Sequence, residues 1–111
     1  MDAEKSRACY VKALKFWEFL RDSYSRHEDE WSHGIYMILG DLKEALRHAP
    51  DNLDARRMQV EMIGDQLGAY VEALEEADKL VQRAPGEPAY LELRERMRQR
   101  AKKYAPETPD S

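Results

Sequence analysis

From Tyr10 to Ala101, apolar side chains return every three or four positions, and no segment alternates apolar with polar as a strand requires. That spacing is the period of one helix face, so the chain is expected to be all-α. Five segments carry it. The first, about residues 3–24, holds Tyr10, Leu14, Trp17, Leu20 and Tyr24; the second, within 29–48, holds Trp31, Ile35, Ile38, Leu42 and Leu46. A third, near 52–66, places Ala55, Met58, Met62 and Gln66 on one stripe. A fourth, near 69–83, does the same with Tyr70, Ala73, Leu74, Ala77, Leu80 and Val81. The fifth, about 87–103, lines up Tyr90, Leu93, Met97 and Ala101. Pro50 ends the second segment and Pro85-Gly86 the fourth. Helices joined by turns this short bury their stripes against neighbours, as antiparallel hairpins. A chain of 111 residues makes one domain, expected over 1–104. The tail 105–111, with two prolines and no apolar anchor after Ala105, is expected to be disordered.

Composition narrows the function. A net charge of −4 argues against binding of nucleic acid or an anionic membrane by the whole surface. The single cysteine, Cys9, makes no intrachain disulfide, and the start MDAEKSRACY lacks an apolar signal region. The longest apolar run, IYMIL at 35–39, is far too short to span a bilayer. These features lead us to expect a soluble, cytoplasmic protein with no membrane contact.

The chain also echoes itself. "ALRHAPDN", residues 45–52, lies over "LVQRAPGE", residues 80–87, after a shift of 35 residues. Each copy has a basic residue, then Ala-Pro, then a polar turn pair, and periods near 34 mark stacked helix pairs. Residues 54–85 resemble a tetratricopeptide repeat, with a weaker match over 35–50. Gly68-Ala69-Tyr70-Val71-Glu72-Ala73 follows that motif's turn, Ala77 and Leu80 occupy its second-helix positions, and Pro85 its closing proline. Arg57, Glu61 and Gly64 depart from it, standing where the family often has tryptophan, a small residue and tyrosine. The resemblance implies a right-handed α-α superhelix whose first helices form a concave, peptide-binding groove.

The densest cluster of polar chemistry is HEDEWSHG, residues 27–34. His27 and His33 are six positions apart, so their rings leave a helix on different sides, unlike the four-residue spacing of a helical zinc site. Ser25-Arg26-His27-Glu28 has the form of a capping box, and Asp29 and Glu30 suit a first helical turn. Gly34 is either an inter-helix turn under the 35-residue register or a mid-helix glycine. The continuous stripe Trp31, Ile35, Ile38, Leu42 favours the helix. There is no phosphate-cradling glycine run, nucleophile elbow or cysteine pair, so no enzyme activity, metal or cofactor is expected.

Three surfaces remain. On the first helix Phe16 and Phe19 widen the apolar arc beyond what one hairpin covers, fitting either a sandwiched helix or contact with a second copy. The repeat resemblance puts Met58, Met62, Asp65 and Gln66 in the groove, with Arg96 and Arg100 from the fifth helix. Family members that grip chaperone C-terminal carboxylates use Lys and Asn on this face, and methionines stand at two of those positions here. Two methionines offer instead an adaptable apolar surface, with ordinary core packing as the alternative. The basic run Arg94, Arg96, Arg98, Arg100, Lys102 and Lys103 reads either as a phosphate-contacting stripe or as a helix end that complements its own dipole. The acidic run Glu72, Glu75, Glu76 and Asp78 offers these cations partners within the chain. The expected function is non-catalytic binding of a protein or peptide. The alternatives are a nucleic-acid-associated protein using Arg94, Arg98 and Lys102, or a self-associating structural subunit.

Overall fold

The computed structural model describes residues 1–104; the disorder expected for 105–111 lies outside the described residues. Five helices follow one another: α1 (Ala3–Ser23), α2 (Asp29–His48), α3 (Leu53–Glu61), α4 (Tyr70–Arg83) and α5 (Pro88–Tyr104). Helix α3 runs on into one π-helical turn, Met62–Gln66, and no strand occurs among the described residues. The all-helical expectation holds, and the five helices, α3 taken together with its π turn, lie within about two residues of the predicted spans.

Local chemistry sets the ends. The Asp2 carboxylate accepts from Lys5 N–H at 3.0 Å, and the Asn52 side-chain oxygen from Ala55 N–H at 3.1 Å, capping α1 and α3. Helices α2 and α4 stop at Ala49 and Ala84, each followed by a proline. Gly68 carries φ +71°, the one left-handed backbone among the described residues, and the chain reverses there between the π turn and α4. The capping box is only half realised. Glu28 reaches back to accept from Ser25 N–H at 2.6 Å, but Ser25 is not the cap, because α2 begins three residues later than the box requires. Asp29 and Glu30 do occupy its first turn.

The hairpins are antiparallel. Near the open end of the first, Asp2 N–H donates to the His48 carbonyl at 2.8 Å. Near the closed end, Gly34 lies inside α2 against Leu20, so close that a methyl group there would sit 2.6 Å from Leu20 Cδ1. The helix therefore runs through Gly34, whose missing side chain lets α1 approach. In the second half, Gly64 meets both Met97 of α5 and Ala73 of α4. Two cores result. Ala13, Leu20, Trp31, Ile35, Ile38 and Leu42 form the first with Ala55, Met58 and Met62 of the α3 segment. Val60 and Ile63 of the same segment join Ala73, Ala77, Leu80, Leu93 and Met97 in the second.

One buried polar node joins three helices. Ser6, 1% exposed, donates its hydroxyl to the Ala45 carbonyl at 2.6 Å and accepts from Asn52 Nδ2 at 2.9 Å. Asn52 thus caps α3 with its oxygen while holding α1 with its nitrogen. Buried polar groups stripped of a partner cost about 1–3 kcal/mol each. Ser6→Ala is expected to lower unfolding free energy by about that much, and Asn52→Ala by somewhat more through the added loss of the cap. Urea titration at constant m value measures both; a loss below about 0.5 kcal/mol for either would show that the node is dispensable.

Candidate functional site

Helices α1 and α3 run in the same direction, since Asn52 at the start of α3 bonds Ser6 near the start of α1 and Gln66 beyond its end bonds Arg26 beyond the end of α1; a groove lies between them. That groove holds about 360 Å³, with Tyr10, Leu14 and Trp17 on one wall and Asp54, Arg57, Glu61, Asp65 and Gln66 on the other. Met58 and Met62 also line it, but they are only 6% and 3% exposed and belong to the first core. The adaptable surface expected of them is therefore limited to a floor, since very little of either side chain is exposed. Trp17 is held edge-on to Trp31 at a centroid distance of 5.4 Å, which fixes an aromatic wall.

A smaller groove of about 230 Å³ lies on the other side of α3, against α5, and shares Arg57 and Glu61 with the first. The α3 side chains form a charged ridge between the two. Arg57 lies 3.6 Å from Glu61. Asp65 accepts from Arg96 at 2.8 Å and from Arg100 at 3.4 Å. At the end of the ridge Arg26, from the α1–α2 loop, donates to the Gln66 side-chain oxygen at 2.8 Å and to the Asp65 carbonyl at 3.3 Å. Its guanidinium also lies 5.9 Å from the Trp31 ring centroid. Met62, Asp65 and Gln66 all lie in the π turn, closed by Leu67 N–H donating to the Met62 carbonyl at 3.1 Å. Such single wide turns are frequent at functional sites.

Met58, Met62 and Gln66 thus line the larger groove beside Asp65, while Arg96 and Arg100 of α5 reach Asp65 from the other side and Arg96 lines the smaller groove. Phe16 and Phe19 lie elsewhere. Phe16 packs half-buried on the first core, while Phe19 is 53% exposed and touches the rings of Phe16 and Tyr24. Part of the wide apolar arc of α1 is used by the core and part by the groove wall, and Phe19 is left over. On α5, Arg94 lies 3.9 Å from Asp78 and Arg98 2.7 Å from Glu95. Two contributors went unseen in the sequence. Arg26 looked like part of a cap, and Ser6 was overlooked although it shares a seven-residue stripe with Ala13 and Leu20.

Burial pushes the Glu61 carboxyl above the ordinary range, opposed by Arg57 and Arg96, while Asp65 adds to the rise. Burial likewise raises the Tyr10 phenol, reinforced by Asp54 and Glu61. These groups describe a surface with acids and bases interleaved beside an apolar strip. It suits binding. Among the described residues no three His, Cys, Asp or Glu side chains gather as a metal-binding group, and no helix is long and apolar enough to cross a membrane. Comparison with known proteins finds no matching family model, no similar curated protein and no similar solved structure.

Because the folded state disfavours the Glu61 anion, protonation favours folding, and the ionised group costs stability above its raised value. Glu61→Gln is expected to stabilise the protein at pH 7 by only about a few tenths of a kcal/mol, since the side chain is still 37% exposed. The gain should vanish as pH falls through the raised value to the ordinary 4.5. Unfolding curves at both ends of that window measure it; a variant less stable at pH 7 would mean that the Arg57 pairing outweighs burial.

Proposed function

We propose that this chain is a tetratricopeptide-like helical-hairpin module without catalytic activity, which binds an extended or helical segment of a protein partner along the α1–α3 groove. The observation that carries the reading is the groove itself. A strip of Tyr10, Leu14 and Trp17 faces a rim that carries both signs of charge. Apolar anchors set in such a rim are the usual anatomy of a peptide-binding surface, with the charges selecting the partner.

The arrangement of helices supports the repeat-like part of the proposal. The end caps Ala49 and Ala84 lie 35 residues apart, and so do the starts of α3 and α5 at Leu53 and Pro88. Gly68 has the left-handed backbone that the motif's turn uses. Grooves open between α1 and α3 and between α3 and α5, the places where neighbouring first helices of such a superhelix would leave them. The first hairpin is the less regular one: its turn falls at 24–28, and Gly34 stays helical.

Selection of peptides from a displayed random library against the immobilised chain tests the function. Selected peptides are expected to shift amide resonances of α1 and α3, and to lose at least about tenfold in affinity, or 1.4 kcal/mol, with Leu14→Glu. Arg57→Glu, on the exposed rim, should change which peptides are selected without altering the circular dichroism spectrum. Peptides that bind equally well to both variants, or whose shifts map away from the groove, would overturn the proposal.

A further inference from the structure

The α1–α3 groove does not stop at Tyr10 and Asp54. Beyond them lies a recess of about 300 Å³, lined by Ala3, Arg7 and Asp51 among others, and Tyr10 and Asp54 line both parts. From Ala3 to Trp17 the two parts follow α1 for about 21 Å at the helical rise. That is the reach of about six residues of extended chain. Charge along this channel is uneven. Towards Gln66 every charge has a partner within the chain: Glu61 has Arg57, and Asp65 has Arg96 and Arg100. At the junction the matching fails. Asp54 is exposed and, among the described residues, forms no ion pair; the same holds for Asp51 and Arg7 in the recess. That end therefore sets two carboxylates against one guanidinium.

An acid suits the first turn of α3, where Asp54 stands, but its charge also reaches the aromatic wall. The half-buried Tyr10 phenol is held above its ordinary range, first by burial and then by Asp54 and Glu61, against Arg57 and Arg7. A ring beside an unpaired carboxylate suits a cationic side chain. The ring covers the aliphatic stem and attracts the charge, while the carboxylate accepts the hydrogen bonds. An acidic side chain would meet Asp54 and Asp51 as like charges. Leu14 and Trp17 lie about 6 and 10 Å further along α1, two or three positions of extended chain away. We infer that the groove selects a segment with an arginine or lysine seated against Tyr10 and Asp54, and a large apolar side chain two or three positions away over Leu14 and Trp17. Such selectivity rests on the peptide-binding function proposed above and gives that partner its chemistry. Covering Tyr10, Leu14 and Trp17 supplies most of the affinity; the cation fixes which segment enters, and where.

Displayed random peptides selected on the immobilised full chain, and separately on its Asp54→Lys variant, test this. Asp54 is exposed, so the exchange should leave the circular dichroism spectrum unchanged. Wild-type selections are expected to carry arginine or lysine at one fixed position near a large apolar residue. Selections on Asp54→Lys should lose that preference and turn to aspartate or glutamate there. Replacing the basic residue of one synthetic selected peptide by glutamine should weaken binding to the wild type about fivefold, the worth of one exposed pair with its ring contact. The same replacement should cost about twofold or less against Asp54→Asn, which isolates the pair. Peptides whose amide shifts map to the α1–α3 groove, yet which show no basic preference, would overturn the selectivity and leave the groove's binding role standing. A basic preference unchanged by Asp54→Lys would overturn its assignment to this junction. If no selected peptide maps to the groove, the binding function itself falls and the selectivity falls with it.

Discussion

Everything in this molecule passes through α3 and its π turn. One short segment turns Ala55, Met58 and Met62 to the first core and Val60 and Ile63 to the second. A helix normally needs one apolar stripe and solvates the rest. Here two stripes leave only a narrow polar edge, and that edge is the charged ridge of Arg57, Glu61 and Asp65. Position on the ridge is thus a by-product of packing: whatever is not needed by either core must face a groove. The same constraint explains why methionine, unbranched and adaptable, fills the positions where α3 is both core and groove floor.

Close approach between helices is arranged by omission of side chains. Gly34 admits Leu20, and Gly64 admits Met97 beside Ala73. Small residues at such crossings let neighbouring backbones draw together, so that larger side chains on either flank interdigitate. Because dense packing is rigid, the groove walls inherit that rigidity. Trp17 is braced by Trp31, and Trp31 is 6% exposed inside the first core. Arg26 then ties the loop of the first hairpin to the end of α3, so both walls are anchored to one frame. A preformed surface of this kind loses little freedom on binding.

How much of this could be read in the chain follows from the range of each interaction. Periodicity is local, and it located all five helices; Pro50, Pro85 and Gly68 punctuated them through backbone restrictions that depend on one residue alone. Gly34 was settled by the stripe of Trp31, Ile35, Ile38 and Leu42 rather than by the 35-residue register, because burial of four large side chains outweighs a turn signal from one glycine. Ser6 with Asn52, and Arg26 with Gln66, are separated by 46 and 40 residues, and no spacing rule links them. The burial of Met58 and Met62 was undecided for a related reason. A stripe shows that a helix has an inner face, but which neighbour covers it is a property of the assembled fold. The half-formed capping box shows the limit of local motifs: Glu28 makes its bond, while the helix start is moved three residues on.

The α1–α3 groove offers coverage more than charge. Around the groove the cations are already matched within the chain, Arg57 by Glu61 and both Arg96 and Arg100 by Asp65. A partner entering there meets little net field, so its affinity comes chiefly from covering Tyr10, Leu14 and Trp17, and salt should affect it weakly.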